Sequence, residues 1–204
     1  MRKSGADIAG LMREKGLRVF STRDLAVLAG MPVPAASQAL SALGLRNLAV
    51  RLRRGLWASR LAPGLNPYEV VTQLQPPWPA CVSLLSALAD HGVIEEVPDI
   101  VYAVTSGPPR RFRTPLGSYR LHHLPSRLMW GYGAVRAGPA TYNLADPEKA
   151  FLDQVYLALV PRSPIGFPPR RGRSWSLDRK RLRVYAVRFS SPRLSGWLKK
   201  EGML

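Results

Sequence analysis

The first set of side chains that could recognise another molecule is Pro34, Ser37, Gln38 and Ser41, which are spaced by three, one and three residues. At about 100° per residue they lie on one face of a helix. A glutamine amide can bond adenine through both of its ends, and a serine hydroxyl can bond several base edges. The spacing therefore indicates a helix face that could contact the major groove of DNA.

Arginines border this helix, although the whole run 25–45 has no charged residue. Phosphate contacts position a protein on DNA, whereas base contacts select the sequence. An uncharged reading helix is therefore tolerable if cations beside it hold the sugar-phosphate backbone. The candidate backbone contacts are Arg23, Arg46, Arg51, Arg53 and Arg54.

The elements that must position these side chains are two helices joined by a short turn. Ser21 and Asp24 have the spacing of a capping box, and Gly30 ends the first helix. Pro32 and Pro34 are tolerated only at the entry or in the first turn of a helix, so the second helix must begin close to them. The apolar positions predicted to pack between the helices are Leu25, Leu28, Ala29, Ala36, Leu40 and Leu43. This pattern predicts a helix-turn-helix.

The segment "NLAVRLRRGLWAS" follows directly and predicts a β-hairpin. Leu48, Val50 and Leu52 alternate with Ala49 and Arg51, which is typical of a half-buried strand. The turn Arg53-Arg54-Gly55 leads into the partner strand "LWAS". A basic hairpin after a helix-turn-helix indicates a wing, although winged domains also serve as protein–protein modules.

The formal net charge of +17 is unevenly distributed. Residues 1–66 hold 11 basic and 3 acidic side chains, 67–160 hold 7 and 8, and 161–204 hold 12 and 2. An excess of this size favours a polyanionic partner, nucleic acid first. A GC-rich genome would explain arginine over lysine but not the neutral middle.

Composition also limits the class of protein. One cysteine, Cys81, cannot form an internal disulfide, and the first 16 residues have no uninterrupted apolar stretch of a signal peptide. The run 25–45 is long enough for a membrane span, but its prolines and polar residues disfavour one. We expect a soluble cytoplasmic α+β protein with domains at 1–62 and 67–204.

The middle of the chain predicts a mixed α/β arrangement. Helices are expected at 68–74 and 81–90, a strand at "IVYAVTS", and a hairpin that turns at 115–117. Another helix starts with Asp146 as N-cap and buries Phe151, Leu152, Val155, Tyr156 and Leu159. Ser83, Ser86 and Ala87 are expected to allow close helix packing, and His91 to cap a helix end. Glu148, Lys149 and Asp153 are predicted to form a solvated helix face.

The C-terminal part predicts a mobile Pro/Arg-rich loop at 161–175 and a basic helical end at 176–204. Together they offer a second surface for nucleic acid or a protein partner, or one that only aids solubility. Its candidate residues are Arg170, Arg171, Arg173, Arg179, Lys180, Arg181 and Arg183.

A series of segments resembles the AbiEi-type antitoxins of the abortive-infection (type IV) toxin–antitoxin systems. These segments are "FSTRDLAVLAG", "SQALSAL", "LRRGLWAS", "VSLLSALADHGV", "VYAVTSGPPRRFRTPLGSYRLHHLP" and "ATYNLADPEKAFLDQVY". The resemblance spans about residues 18–160. It implies a winged helix-turn-helix that binds inverted repeats in its own promoter and represses the operon.

The resemblance also implies a second domain that counters a nucleotidyltransferase-like toxin. Antitoxins of this family are not usually described as forming a stable complex with that toxin. It places Pro34, Ser37, Gln38 and Ser41 on the operator bases and the neighbouring arginines on the backbone. The uncharged reading helix departs from the usual pattern of the family.

Other classes fit the residues less well. Adjacent His122 and His123 would point to opposite faces of a strand, and no Cys/His spacing suits zinc, so we expect no metal and no cofactor. Asp146-Pro147-Glu148 resembles a nucleotidyltransferase metal pair, but it fits helix capping better, and no nucleophile elbow is present. A ligand-responsive repressor remains the alternative, and a large apolar pocket in the middle domain would favour it.

Overall fold

The computed structural model describes residues 4–169 and 175–204. It is a mixed α+β protein, as predicted. The N-terminal elements are α1 (Gly5–Glu14), β1 (Val19–Ser21), α2 (Thr22–Ala29), α3 (Val33–Leu45), β2 (Ala49–Arg53) and β3 (Leu56–Ser59). Their strands form an antiparallel sheet in the order β1-β3-β2.

The predicted capping box at the start of α2 is confirmed. The Ser21 N–H donates to the Asp24 carboxylate at 2.7 Å, and the Asp24 N–H donates to the Ser21 hydroxyl at 3.1 Å. Gly30 ends the helix with φ of +60°, a left-handed conformation that glycine adopts without strain.

The predicted packing face of α2 is wrong at one position. Leu25 and Ala29 are buried, but Leu28 is 41% exposed and Ala26 is buried instead. The chain after α2 turns back beside Ala26, whose carbonyl accepts the Met31 N–H at 3.0 Å, and so covers this side of the helix.

In α3, Ala36, Leu40 and Leu43 are buried, as predicted. The axes of α2 and α3 are bent by 108° relative to each other. Within the described ranges no single helix has the length and apolar composition to cross a membrane; α2 and α3 meet those criteria only as a bent pair.

The hairpin β2–β3 forms where it was expected, and Val50 and Leu52 face the same side of β2, as the alternation predicted. Ala49 is buried on the opposite side, so the strand is covered on both faces there. A register shift between Arg51 and Arg53 puts a bulge at the end of β2. A bulge places two residues opposite one and changes the direction of the side chains that follow.

The rest of the chain builds around a six-stranded mixed sheet in the order β6-β7-β5-β4-β9-β8. Its strands are β4 (Ala80–Val82), β5 (Ile100–Thr105), β6 (Arg110–Thr114), β7 (Gly117–His123), β8 (Tyr132–Ala137) and β9 (Ala140–Ala145). The helices are α4 (Leu84–Asp90), α5 (Pro147–Ala158), α6 (Arg179–Phe189) and α7 (Pro192–Lys200), with 3-10 helices at Pro67–Gln73 and Ser126–Leu128.

The predicted hairpin at 115–117 and the strand at "IVYAVTS" are confirmed as β6–β7 and β5. The helix predicted at 81–90 is wrong in its first part, because 80–82 form β4, which pairs with β5 and β9 in the middle of the sheet. The segment predicted as a helix at 68–74 is a 3-10 helix.

Asp146 occupies the N-cap position of α5, but its side chain does not cap the helix. Its carboxylate instead accepts the Tyr185 hydroxyl at 2.7 Å, which ties α6 to the start of α5. His91 is the C-cap of α4, as expected, and its backbone N–H donates to the Ala87 carbonyl oxygen at 3.0 Å. Its ring Nε2 also bonds the Ala145 carbonyl oxygen at 2.9 Å.

The prediction of a solvated face on α5 is wrong. Glu148, Lys149 and Asp153 are 2%, 1% and 0% exposed. The Lys149 ammonium forms an ion pair with one Asp153 oxygen, and the Ser83 hydroxyl donates to the other at 2.8 Å. Burial raises the pKa of Asp153, against the opposing effects of Lys149 and Ser83. The charges are buried because α4, α6 and α7 all pack on α5.

Arg18 anchors the N-terminal elements to the rest of the molecule. Its guanidinium donates to both oxygens of Glu69, at 2.6 and 2.8 Å, and to the carbonyl oxygens of Pro63 and Gly64, both at 2.8 Å. The segment "APGLNP", residues 62–67, which lies between the two predicted domains, is therefore held near the start of β1 along part of its length. The domain boundaries themselves stay a prediction.

The hairpin β2–β3 contributes to both apolar clusters of the protein. Ala49 and Trp57 belong to the cluster formed with α1, α2 and α3. Leu52, Leu56 and Ala58 belong to the larger cluster around the six-stranded sheet. The hairpin is therefore supported by apolar contacts on both sides.

Candidate nucleic-acid interface

The face of α3 opposite its packing residues carries the set predicted from spacing. Pro34, Ser37, Gln38 and Ser41 are all exposed. The Ser41 hydroxyl donates to the Ser37 carbonyl oxygen at 2.9 Å, so its lone pairs remain as acceptors. The Gln38 side chain makes no hydrogen bond to any residue that the structure describes, which leaves its amide able to donate and accept together.

The N-terminal end of α3 adds backbone donors to this face. Its N-cap is Pro32, which cannot cap the first turn with a side-chain hydrogen bond. Arg23, Met31, Pro32 and Val33 line an open depression at this end. Because uncapped N–H groups and the helix dipole favour anions, this end suits a phosphate beside the Arg23 guanidinium.

Three exposed arginines lie at the other margins of α3 and on the hairpin. Arg46 follows α3 as its C-cap, Arg51 lies on β2, and Arg54 lies in the β2–β3 turn. Gly55 completes that turn with φ of +77°. None of these arginines forms an ion pair with a carboxylate in the described ranges, so their charges are available to a polyanion.

Arg53 is placed differently from its neighbours, and its side chain is less accessible for the predicted contact with DNA. It is half-buried, and its guanidinium donates to the Gln73 carbonyl oxygen at 3.2 Å and to the Arg54 carbonyl oxygen at 3.4 Å. Its Nε is buried without a partner among the described residues. The bulge in β2 directs this side chain towards the 3-10 helix Pro67–Gln73.

The predicted second basic surface is described only in its helical part, because Arg170, Arg171 and Arg173 lie outside the described residues. Arg179, Lys180, Arg181 and Arg183 are all exposed on α6. Arg179 donates to the Gly202 carbonyl oxygen at 3.2 Å, and Arg181 lies 3.8 Å from the Glu148 carboxylate. Val184 and Val187 are 66% and 80% exposed beside them, so this surface is basic and apolar together.

The two adjacent histidines have different surroundings. His123 Nδ1 bonds the Gly107 carbonyl oxygen at 3.0 Å, whereas His122 Nε2 is buried without a described partner. Burial, with Arg120 and Arg111 adding to it, lowers the pKa of His122 and favours its neutral form. Within the described ranges, no three His, Cys, Asp or Glu side chains are grouped so that they could hold a metal ion.

Sequence reasoning missed a cleft beside these histidines. Arg110, Arg111, Arg120 and Arg162 line it. The available signal was the density of arginine in "RRFRTPLGSYR", which was interpreted only as a hairpin. A two-residue turn at 115–116 pairs Thr114 with Gly117 and therefore Arg111 with Arg120. This pairing of two arginines could have been predicted from the sequence.

No protein-family model matches the chain, and no curated protein matches it significantly.

Proposed function

We propose that this chain is a regulator that binds a specific duplex DNA sequence through its N-terminal elements. The observation that carries the proposal is the uncharged, exposed face of α3 with the exposed arginines Arg23, Arg46, Arg51 and Arg54 around it. Such a face can contact bases while the cations contact phosphates on either side.

The arrangement of the N-terminal elements supports a winged helix-turn-helix. The 108° bend between α2 and α3 lies within the roughly 90–120° of helix-turn-helix pairs. The three residues between the helices include Gly30 in the left-handed conformation. The hairpin β2–β3, with Arg54 at its turn, then forms the wing.

The biological role that we propose follows from the resemblance to AbiEi-type antitoxins. The chain would bind inverted repeats in its own promoter, repress its operon, and counteract a nucleotidyltransferase-like toxin without a stable complex. Co-expression with a nucleotidyltransferase encoded beside the gene tests this role: growth should be restored by this chain and arrested without it.

A ligand-responsive repressor unrelated to a toxin is the second candidate. The cleft beside His122, with a volume of about 460 Å³, is the observation that favours it. If the neighbouring gene encodes no toxin, the role of a ligand-responsive repressor would account for the DNA-binding surface on α3 equally well.

The DNA interface is tested with the double variant Arg51→Ala/Arg54→Ala. Each phosphate contact contributes about one to the slope of log affinity against log salt, so the slope should fall by about two. Fluorescence anisotropy with a duplex from the upstream region, over a series of salt concentrations, measures both affinity and slope.

The matched control is Arg136→Ala/Arg193→Ala, which removes two exposed arginines elsewhere on the protein. It should retain nearly wild-type affinity and slope. Equal behaviour of the two double variants would show that net charge alone, rather than this surface, binds the DNA.

A further inference from the structure

A cleft of about 460 Å³ opens between the sheet and the C-terminal end of α5. One wall comes from β5, β6 and β7, and the other from residues 157–166. Leu85, Leu121, Leu157, Val160 and Ile165 make much of the lining apolar. A volume of this size lies within the roughly 300–1,000 Å³ of sites that bind small molecules.

The strand register concentrates positive charge on one side of the cleft. Arg111 pairs with Arg120 across β6 and β7, and Arg120 pairs with Tyr102 across β7 and β5. Residues that pair directly share a face of the sheet, and His122 lies two residues further along the same face. Arg110 and Arg162 also line the cleft.

Among the described residues, the cleft is lined by no Asp or Glu that could neutralise these cations. Like charges placed directly opposite each other in neighbouring strands destabilise a sheet. The backbone of Arg162 has φ of +60°, a left-handed conformation that costs energy for residues other than glycine. An anion bound between the arginines would offset the repulsion.

Two polar atoms of the lining residues are also left without a partner. His122 Nε2 and Gln154 Oε1 are both buried, and neither forms a hydrogen bond with a described residue. The Gln154 amide is oriented by its nitrogen, which donates to the Gly166 carbonyl oxygen at 2.6 Å. Its oxygen can therefore accept an N–H or O–H from a ligand. An inorganic ion would not supply such a donor together with an apolar body.

An aromatic surface lies beside the arginines. The Tyr102 and His122 rings are nearly parallel, with centroids 6.1 Å apart, and the Arg120 guanidinium is 6.0 Å from the Tyr102 ring. A smaller depression shares Tyr102 and Leu85 with the cleft and includes Glu96 and Asp99. The anionic group of a ligand would therefore lie at the arginine end, with its hydroxyl and amino groups towards the carboxylates.

We propose that this cleft binds a nucleoside phosphate. The phosphate contacts Arg111, Arg120 and Arg162, and the nucleoside lies along the apolar wall and Tyr102. This inference is independent of the DNA interface on α3, and either can fail without the other.

Isothermal titration calorimetry of the full chain at low ionic strength tests the proposal with AMP, adenosine and inorganic phosphate as probes. AMP should bind at one saturable site, and the two fragments should each bind at least about tenfold more weakly, because each makes only part of the contacts. Arg111→Ala/Arg120→Ala should weaken AMP binding by about tenfold or more, since charge-assisted hydrogen bonds are lost.

The control Arg136→Ala/Arg193→Ala removes the same charge away from the cleft and should bind AMP like the wild type. If the cleft double variant does not fold, Arg162→Ala serves in its place, because this exposed side chain forms no hydrogen bond with described residues. Binding of operator DNA should be unchanged in the cleft variants.

Three outcomes would overturn the proposal. The wild type could fail to bind AMP, the control could lose as much affinity as the cleft variant, or inorganic phosphate could bind as tightly as AMP. Loss of duplex DNA affinity in the cleft variant, with no AMP binding by the wild type, would assign these arginines to nucleic acid instead.

Discussion

Helices α3 and α5 are opposites in composition and in burial. α3 has no charged residue, and one full side of it faces outward. α5 carries Glu148, Lys149 and Asp153, yet all three are at most 2% exposed. The charged residues of α5 were predicted to be solvated because they are charged, and in the structure they are buried.

The difference lies in what surrounds each helix. α3 packs on α1, α2 and β2 through one stripe, whereas α5 is enclosed by α4, α6 and α7. The enclosure also provides partners for the buried charges. The Lys149 ammonium lies 5.3 Å from the Trp130 ring centroid and 5.2 Å from that of Phe189, besides its ion pair with Asp153. Charge can be buried where such partners are complete.

The largest effect is expected from Lys149→Met. It leaves the Asp153 carboxylate buried without its cation, which costs about 3–5 kcal/mol of the free energy of unfolding. Urea denaturation followed by circular dichroism measures the loss. Lys199→Met, at an exposed position on α7, is the control and should change stability by about 0.5 kcal/mol or less.

Replacing both members of the pair, as Lys149→Met/Asp153→Leu, should restore more than half of that loss, because no charge is then left unpaired. A double variant that is less stable than Lys149→Met would show that packing, rather than the unpaired charge, causes the effect.

The same variant should respond to pH. Burial already raises the pKa of Asp153 above its ordinary value of 3.8, and Lys149→Met removes the cation that opposes this rise. The folded variant therefore holds a proton that the unfolded chain releases. This contribution is complete below the unfolded value and is lost as pH rises through the folded pKa. Relative to wild type, Lys149→Met should regain stability as pH falls from neutrality, in parallel urea titrations.

A smaller effect is expected from Gln38→Ala on α3. Losing a bidentate contact to a base should cost about 1–3 kcal/mol of discrimination between the operator and a mutated site, with little change in nonspecific binding. Competition binding with the two duplexes measures it. Equal loss on both duplexes would show that Gln38 contacts phosphate rather than bases.

The smallest effect is expected on the stability of the same helix. Ser37→Ala and Gln38→Ala should each change the free energy of unfolding by about 0.5 kcal/mol or less, because both side chains are exposed. Urea denaturation provides the measurement, and a loss as large as that of Lys149→Met would contradict the difference between α3 and α5.

Features that depend on neighbours in sequence were predicted well. The capping box of Ser21 and Asp24, the packing residues of α3 and the hairpin at 115–117 all formed as expected. Each depends on contacts within a few residues or on the periodicity of one helix. The exposed positions of the reading face follow from the same periodicity.

Features that depend on distant partners were missed. Cys81 and Val82 form part of strand β4 rather than of a helix, because β4 pairs with β5 and β9. Val82, for example, pairs with Ala103 of β5 and Leu144 of β9. The bulge in β2 directs Arg53 towards the Gln73 carbonyl oxygen, twenty residues further along the chain. No local pattern contains these partners.

By itself, the sequence determined the α+β class, most of the helix and hairpin positions, and the uncharged face with arginines beside it, since these arise from short-range periodicity and capping. Only the tertiary structure decided which charges are buried and which arginines share a cleft. Burial depends on the elements that surround a residue, and Arg111, Arg120 and Arg162 become neighbours only when the sheet and α5 pack together.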